Sequence, residues 1–255
     1  MVATRGCAVI AHRGGAGEAP ENTWTAVEHV AELGLTWMET DLRVSADGLV
    51  ILSHDPDLMR TAADPRGIGE LTWKELSDLD AGDGRPPVRL DDALVAFPRL
   101  RFNIDLKESA VVQDALQVVR AADALERVRF ASFSARRLAV LRRQEPRATT
   151  SLGVGDVLAL VLHAEAGLRL PGTRWSWTKG RVDAVQVPAR WGRGPVVTER
   201  FVAQAHRDGL EVHVWTVDEP EEMRRLAAMR VDGIVTDVPE LMRDALRDLG
   251  YELAS

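Results

Sequence analysis

At 255 residues, with 45% hydrophobic and 28% charged residues, the chain has ample material for one large core. Its formal net charge of −7 argues against nucleic acid or an anionic membrane as a general partner. The single cysteine, Cys7, allows no internal disulfide, and nothing approaches the roughly 18 apolar residues of a membrane span. With no apolar signal region near the N-terminus, the chain is expected to be soluble and cytoplasmic. The sequence carries no sign of oligomeric state.

In chain order, Cys7–Ala11 is a short apolar run that delivers His12, Arg13, Gly14 and Gly15. A buried parallel strand looks like this where it leaves a core. Beyond Pro20 come possible caps at Asn22 or Thr23 and apolar residues at Trp24, Val27, Val30 and Ala31. That spacing predicts a helix, with Gly34 as its stop. Leu35–Asp41 is the second predicted strand, and Asp47-Gly48 signals a tight hairpin behind it. A two-residue loop there pairs Ala46 with Leu49. Asp41 is then directly opposite His54, with Glu39 on the same face.

The stretch 55–90 is irregular, broken by Asp64-Pro65, Gly67, Gly69, Gly82, Gly84 and Pro86-Pro87, with room for one short helix over Leu71–Leu79. Insertions of this length are usually functional, and an inserted cap after strand two is expected. Leu90–Phe97 reads as a short helix. Alternation follows, with strands predicted at Arg101–Leu106, Arg129–Phe133, Thr149–Gly153, Ala184–Val187, Glu211–Val217 and Gly233–Val235. The helices between them are Ala110–Ala122, Ala135–Arg143, Val157–Ala166, Thr198–Arg207 and Glu219–Ala228, with Pro239–Leu249 closing the chain. Eight β-then-α units result, so the expectation is an α/β chain forming one (β/α)8 TIM barrel domain over 1–255. An open doubly wound sheet is the competing architecture, weakened by the lack of a Gly-x-Gly-x-x-Gly turn after the first strand.

In a barrel, chemistry sits at the C-terminal ends of the strands. His12 and Arg13 follow strand one, Glu39 and Asp41 end strand two, and the hairpin returns His54 beside them. Asp105 and Lys107 end strand three, Trp215 ends strand seven, and Asp237 follows strand eight. Converging carboxylates without cysteine suit one hard divalent cation, Ca2+ or Mg2+. Two histidines beside it suit a general acid and a general base. Arg13 and Lys107 complement a phosphate, so the set describes metal-assisted hydrolysis of a phosphate ester. Blander roles stand beside these: Asp105 as a salt-bridge partner of Lys107, Arg13 orienting Glu21, and Glu21 and Asn22 capping the first helix. Trp215 is expected to wall the pocket, with Trp175 and Trp177 as candidates for its leaving-group side. Cys7, His29, His163, His206 and His213 are read as structural or surface residues.

The pattern resembles the glycerophosphodiester phosphodiesterase family. The resemblance rests on His12-Arg13 followed by Pro20-Glu21-Asn22, the Glu39/Asp41 pair, His54-Asp55, Asp105 with Lys107, Val214–Asp218 and Gly233–Glu240, in the family's order along nearly the whole chain. It implies a TIM barrel with a cap inserted after strand two, metal ligation by Glu39, Asp41 and Asp105, and acid–base work by His12 and His54. Asp105 departs from the pattern, since many members carry glutamate there. The implied reaction turns a small-molecule glycerophosphodiester into an alcohol and glycerol 3-phosphate. A lysophospholipase D using the same centre and a non-catalytic barrel that binds a phosphorylated ligand are the alternatives.

Overall fold

The computed structural model describes residues 6–166, 181–192 and 194–251. Eight strands run parallel: β1 (Ala8–Ala11), β2 (Trp37–Val44), β3 (Arg101–Leu106), β4 (Val128–Ala131), β5 (Thr149–Ser151), β6 (Arg181–Pro188), β7 (Glu211–Trp215) and β8 (Gly233–Thr236). Each pairs with its neighbours in sequence, and β1 closes the ring by pairing with both β2 (Ile10 with Trp37) and β8 (Ala8 with Gly233). The expected (β/α)8 barrel is what forms, and the doubly wound alternative is excluded by that closure. Helices α1 (Trp24–Glu32), α2 (Leu90–Ala96), α3 (Val111–Ala121), α4 (Ala135–Gln144), α5 (Val154–Ala166), α6 (Glu199–Arg207), α7 (Pro220–Ala228) and α8 (Pro239–Asp248) occupy the connections. None of the helices among the described residues is long and apolar enough to cross a membrane.

Strand alternation explains where the core and the site lie. On β3, Phe102, Ile104 and Leu106 belong to the main apolar core, while Asn103 and Asp105 are the alternate residues. Asn103 accepts from Gln186 on β6 at 2.8 Å, although β3 and β6 are not paired strands, so these residues meet across the barrel interior. The helices answer the other face. On α3, Val111, Val112, Ala115, Leu116 and Val119 are buried at helical spacing. Thr23 caps α1 by accepting from the Ala26 N–H, and Gly34 stops the helix at φ +68°.

The hairpin behind β2 differs from the sequence expectation by one residue. Its second strand, Val50–Leu52, pairs Leu42 with Leu52, Arg43 with Ile51 and Val44 with Val50. The loop therefore holds three residues, Ala46 to Gly48, closed by Ser45 N–H donating to Leu49 O at 2.9 Å, with Gly48 at φ +84°. Ser45 makes the difference. Its hydroxyl accepts from Leu49 N–H at 2.8 Å and donates to Asp47 at 2.7 Å, drawing the closing pair one step outward. As a result Ser53, not His54, lies opposite Asp41, its N–H donating to Asp41 O at 2.9 Å. His54 leaves the ladder, and its carbonyl is held instead by the Arg43 guanidinium (Nη2 at 2.8 Å).

Residues 55–89 follow as a run of short elements rather than one helix. A two-stranded ribbon (Asp57–Leu58 with Asp64–Gly67) and the single turns Met59–Ala62 and Trp73–Leu76 surround an apolar cluster of Leu58, Ile68, Leu71 and Leu76 packed on Ile51. The insertion thus carries a small core of its own, anchored on the hairpin.

Candidate active site

The chain leaves β1 through a tight turn in which Arg13 (φ +51°), Gly14 (+85°) and Gly15 (+96°) are successively left-handed. A Cβ on Gly14 would stand 2.5 Å from Ala26 Cβ, so this turn presses directly on α1. Arg13 is the costly member, since a side chain in this region stores strain. The conformation aims its N–H at Glu39 Oε2 (3.2 Å) and sets its guanidinium between Glu21 Oε1 (3.1 Å) and Asp41 Oδ2 (3.3 Å).

Parallel register sets Asp41 beside Asp105, and Lys107 Nζ lies 2.8 Å from an oxygen of each. Glu39, Asp41 and Asp105 are 7%, 1% and 8% exposed, so three carboxylates are buried around a single ammonium. Burial, reinforced by Asp41, pushes the Glu39 carboxyl well above the usual carboxylate range. Burial also raises Asp105 despite Lys107. The Lys107 ammonium gains from both carboxylates more than burial removes, and its pKa is raised. Asp41 Oδ2 and Asp105 Oδ1 are buried with no hydrogen-bond donor; Arg13 Nε, near the former, is not aligned to supply one. Buried acceptors without donors are costly. Orphaned oxygens in an all-oxygen set are what a hard divalent cation needs, and the donor chemistry fits one. Among the described residues, however, no three carboxylates or imidazoles stand close enough to share a metal ion, and Lys107 holds Asp41 and Asp105.

Both candidate histidines are gripped the same way. His12 Nδ1 is 2.7 Å from Asp237 Oδ1, and His54 Nδ1 is 2.8 Å from Asp55 Oδ1. An ionised carboxylate can only accept, so each Nδ1 carries the proton and each Nε2 is the nitrogen left free of that contact. Asp237 is itself positioned by its N–H, which donates to Asp218 Oδ1 at 2.8 Å. Burial lowers the His12 pKa, but the hydrogen bond to Asp237 and the charge of Glu39 outweigh it and leave His12 raised.

His12, Arg13, Glu39, Asp41, Asp105 and Lys107 form one contact cluster. His54 joins through a chain of pairs, Asp55 to Arg60, Arg60 to Glu21 and Glu21 to Arg13. Trp215 stands at the end of β7 with its ring edge-on to Phe133 (centroids 5.7 Å apart, 77° between planes), and Phe133 is 61% exposed. Trp175 and Trp177 lie outside the described residues. Glu21 does not cap α1. It accepts from Arg13 and Arg60, while Asn22 accepts from Thr40 on β2 at 2.7 Å. Sequence reasoning placed Asp237 after strand eight and Asp55 in the His54-Asp55 pair without giving either a partner, and it did not mark Arg60. Arg60 sits in an irregular stretch with no spacing to mark it.

The arrangement can hold an anion between fixed cations and exchange protons at two imidazoles. Comparison with known proteins agrees with that chemistry. The model of the "Glycerophosphoryl diester phosphodiesterase family" matches residues 12–241. A Mycobacterium tuberculosis protein named "Probable glycerophosphodiester phosphodiesterase 2" is 36% identical over 240 residues, covering 93% of this chain and 89% of that protein. The crystal structure of an Agrobacterium tumefaciens glycerophosphodiester phosphodiesterase superposes with a TM-score of 0.77 at 25% identity, covering 94% of this chain and 99% of the other. An Oleispira antarctica phosphodiesterase, solved with its product sn-glycerol-3-phosphate, shares the fold with a TM-score of 0.76 at 21% identity, over 95% and 97% of the two chains.

Proposed function

The chain belongs to the glycerophosphoryl diester phosphodiesterase family and is a phosphoric diester hydrolase; from that premise we propose that it hydrolyses glycerophosphodiesters to an alcohol and glycerol 3-phosphate. The observation that carries the reading is the pair of histidines, each with Nδ1 fixed by a carboxylate, flanking a mouth that also presents Arg13 and Lys107. The product named for the Oleispira antarctica enzyme supports the glycerol 3-phosphate side of the cleavage.

Arg13 and Lys107 neutralise the phosphodiester and set its orientation. One imidazole takes the proton from the attacking oxygen, a water or the substrate's own neighbouring hydroxyl. The other, protonated at both ring nitrogens, gives its Nε2 proton to the leaving alkoxide. Glu39, Asp41 and Asp105 would hold one divalent cation, Ca2+ or Mg2+, only by drawing closer together with Lys107 released from Asp41 and Asp105, and that ion would supply Lewis-acid polarisation of a phosphoryl oxygen. The strained turn at Arg13 keeps its backbone N–H on Glu39, so that cation-binding and phosphate-binding groups share one frame.

A second reading, a lysophospholipase D, is favoured by the exposed Phe133 set edge-on to Trp215, which would offer an apolar chain contact beside the end of β7. Both readings meet in one panel: glycerophosphocholine, glycerophosphoethanolamine, glycerophosphoglycerol and a lysophospholipid, each with and without EDTA. Turnover of the deacylated diesters, lost on chelation and restored by Ca2+ or Mg2+, is the expected result. Preference for the lysophospholipid would select the second reading. Undiminished turnover after exhaustive chelation would remove the metal, and no turnover of any diester would remove the activity.

A further inference from the structure

The stretch 55–89 reaches the site through Asp55, which holds His54, and through Arg60. Arg60, on the one-turn helix Met59–Ala62, forks Glu21 with Nη1 and Nη2, each at 2.7 Å, and donates Nε to Asp55 Oδ2, also at 2.7 Å. Asp55 presents its other oxygen to His54 Nδ1, and Glu21 accepts from Arg13 at 3.1 Å. One guanidinium therefore joins the carboxylate that orients His54 to the carboxylate that orients Arg13. Resting on the reading above, we propose that Arg60 is a positioning residue that ties the inserted lobe to both sides of the site, fixing Asp55 so that His54 keeps Nδ1 protonated and Nε2 turned to substrate.

Three features of the contacts argue for this role. First, the geometry is planar and directional: Nε and both terminal nitrogens are used, and a carboxylate pair at two positions is a match only arginine can make. Second, the charge balance needs it. Burial raises the Asp55 carboxyl, and the hydrogen bonds from His54 and Arg60 more than reverse that, leaving it below its ordinary value. Glu21 behaves likewise, raised by burial and brought down by Arg60 and Arg13. Third, stability gives no reason for the fork. The Arg60 side chain is 49% exposed, and ion pairs that wet contribute little to folding. The lobe already has its own apolar cluster to hold it together.

The test uses Arg60→Met, Arg60→Lys, Asp55→Asn and the Arg60→Met/Asp55→Asn double variant, with glycerophosphocholine as substrate. Arg60→Met is expected to lower kcat by about 10- to 100-fold, the usual effect of losing a hydrogen-bond partner that orients a working side chain. KM should change far less, and the melting temperature should stay near the wild type. Arg60→Lys should recover part of kcat, because an ammonium reaches one carboxylate but not both. The double variant should be no slower than Asp55→Asn alone, since Arg60 acts through Asp55. Imidazole 15N spectra, with His54 assigned by its loss in His54→Gln, provide a readout independent of turnover. The wild type should show the Nδ1–H form of His54, and Arg60→Met should mix in the Nε2–H form. Additive losses in the double variant, or a wild-type kcat with an unchanged His54 spectrum in Arg60→Met, would overturn the inference. A wild type that cleaves no diester, with the His54 spectrum still altered by Arg60→Met, sinks the functional reading while supporting this one.

Discussion

The barrel encloses two buried polar clusters built on opposite rules. Nearer the N-terminal ends of the strands, Arg129 on β4 forks Asp183 at 3.1 and 2.9 Å, donates to Glu211 at 2.6 Å and stands 3.3 Å from the His213 ring nitrogens. Its guanidinium also lies 4.9 Å over the Trp37 ring, and Gln186 fills the space between His213 and Asn103. No side-chain nitrogen or oxygen of this cluster is left buried without a partner. At the mouth, by contrast, Asp41 and Asp105 keep orphaned oxygens and burial pushes the Glu39 carboxyl up. A closed network gives rigidity and specifies one packing. An open one, more deeply buried, is a standing cost of the kind kept at functional sites. One chain thus spends polar groups on structure at one end of the barrel and on chemistry at the other.

That division can be broken from either side. Replacing His12 or His54 by alanine should cost the most, lowering kcat by about 10²- to 10⁴-fold as expected for a lost general acid or base. Both side chains touch solvent, so thermal unfolding should move little. Rates within a fewfold of wild type for either variant would take that histidine out of the proton transfers. From the other end, Arg129→Met should reduce stability by about 2 kcal/mol, the scale of lost hydrogen bonds to charged groups. The partly exposed Asp183 and Glu211 can still hydrate, which keeps the loss from being larger. Denaturant unfolding reads that loss, and kcat of the folded enzyme should hold. A fall in kcat comparable to that of His12→Ala would show that the two clusters are not separate.

The architecture was legible because parallel barrel strands, covered on both sides, read as short apolar runs with polar residues delivered at their ends. His12-Arg13 and Asp105 with Lys107 are such ends. The inward pair Glu39 and Asp41 followed from strand period alone, and the cross-strand partnership of Asp41 with Asp105 fits it. Register in the hairpin was not legible, because Asp47-Gly48 suits both a two- and a three-residue loop and the Ser45 hydroxyl decides between them. The pairings of Asp237 with His12 and of Arg60 with Glu21 were missed for a different reason. Asp237 meets His12 across 225 positions and Arg60 meets Glu21 across 39, so only the closed barrel and the folded insertion bring them together.

The smallest expected effect sharpens the comparison through pH. His213 is 2% exposed, and burial followed by the charge of Arg129 holds its imidazole below the ordinary 6.5, against the pull of Glu211. The unfolded chain binds a proton near about pH 6.5 that the folded protein resists. The stability from a neutral His213 is therefore fully present above that pH and declines as the pH falls through it towards the lower folded value. Glu211, held down to about 2 chiefly by its hydrogen bond with His213, has an ordinary pKa of 4.5, so its own contribution is lost only at lower pH. Between about pH 7 and pH 5 the denaturation midpoint should accordingly drop, and His213→Gln should flatten part of that slope. An unchanged slope in the variant would assign the acid sensitivity to other groups.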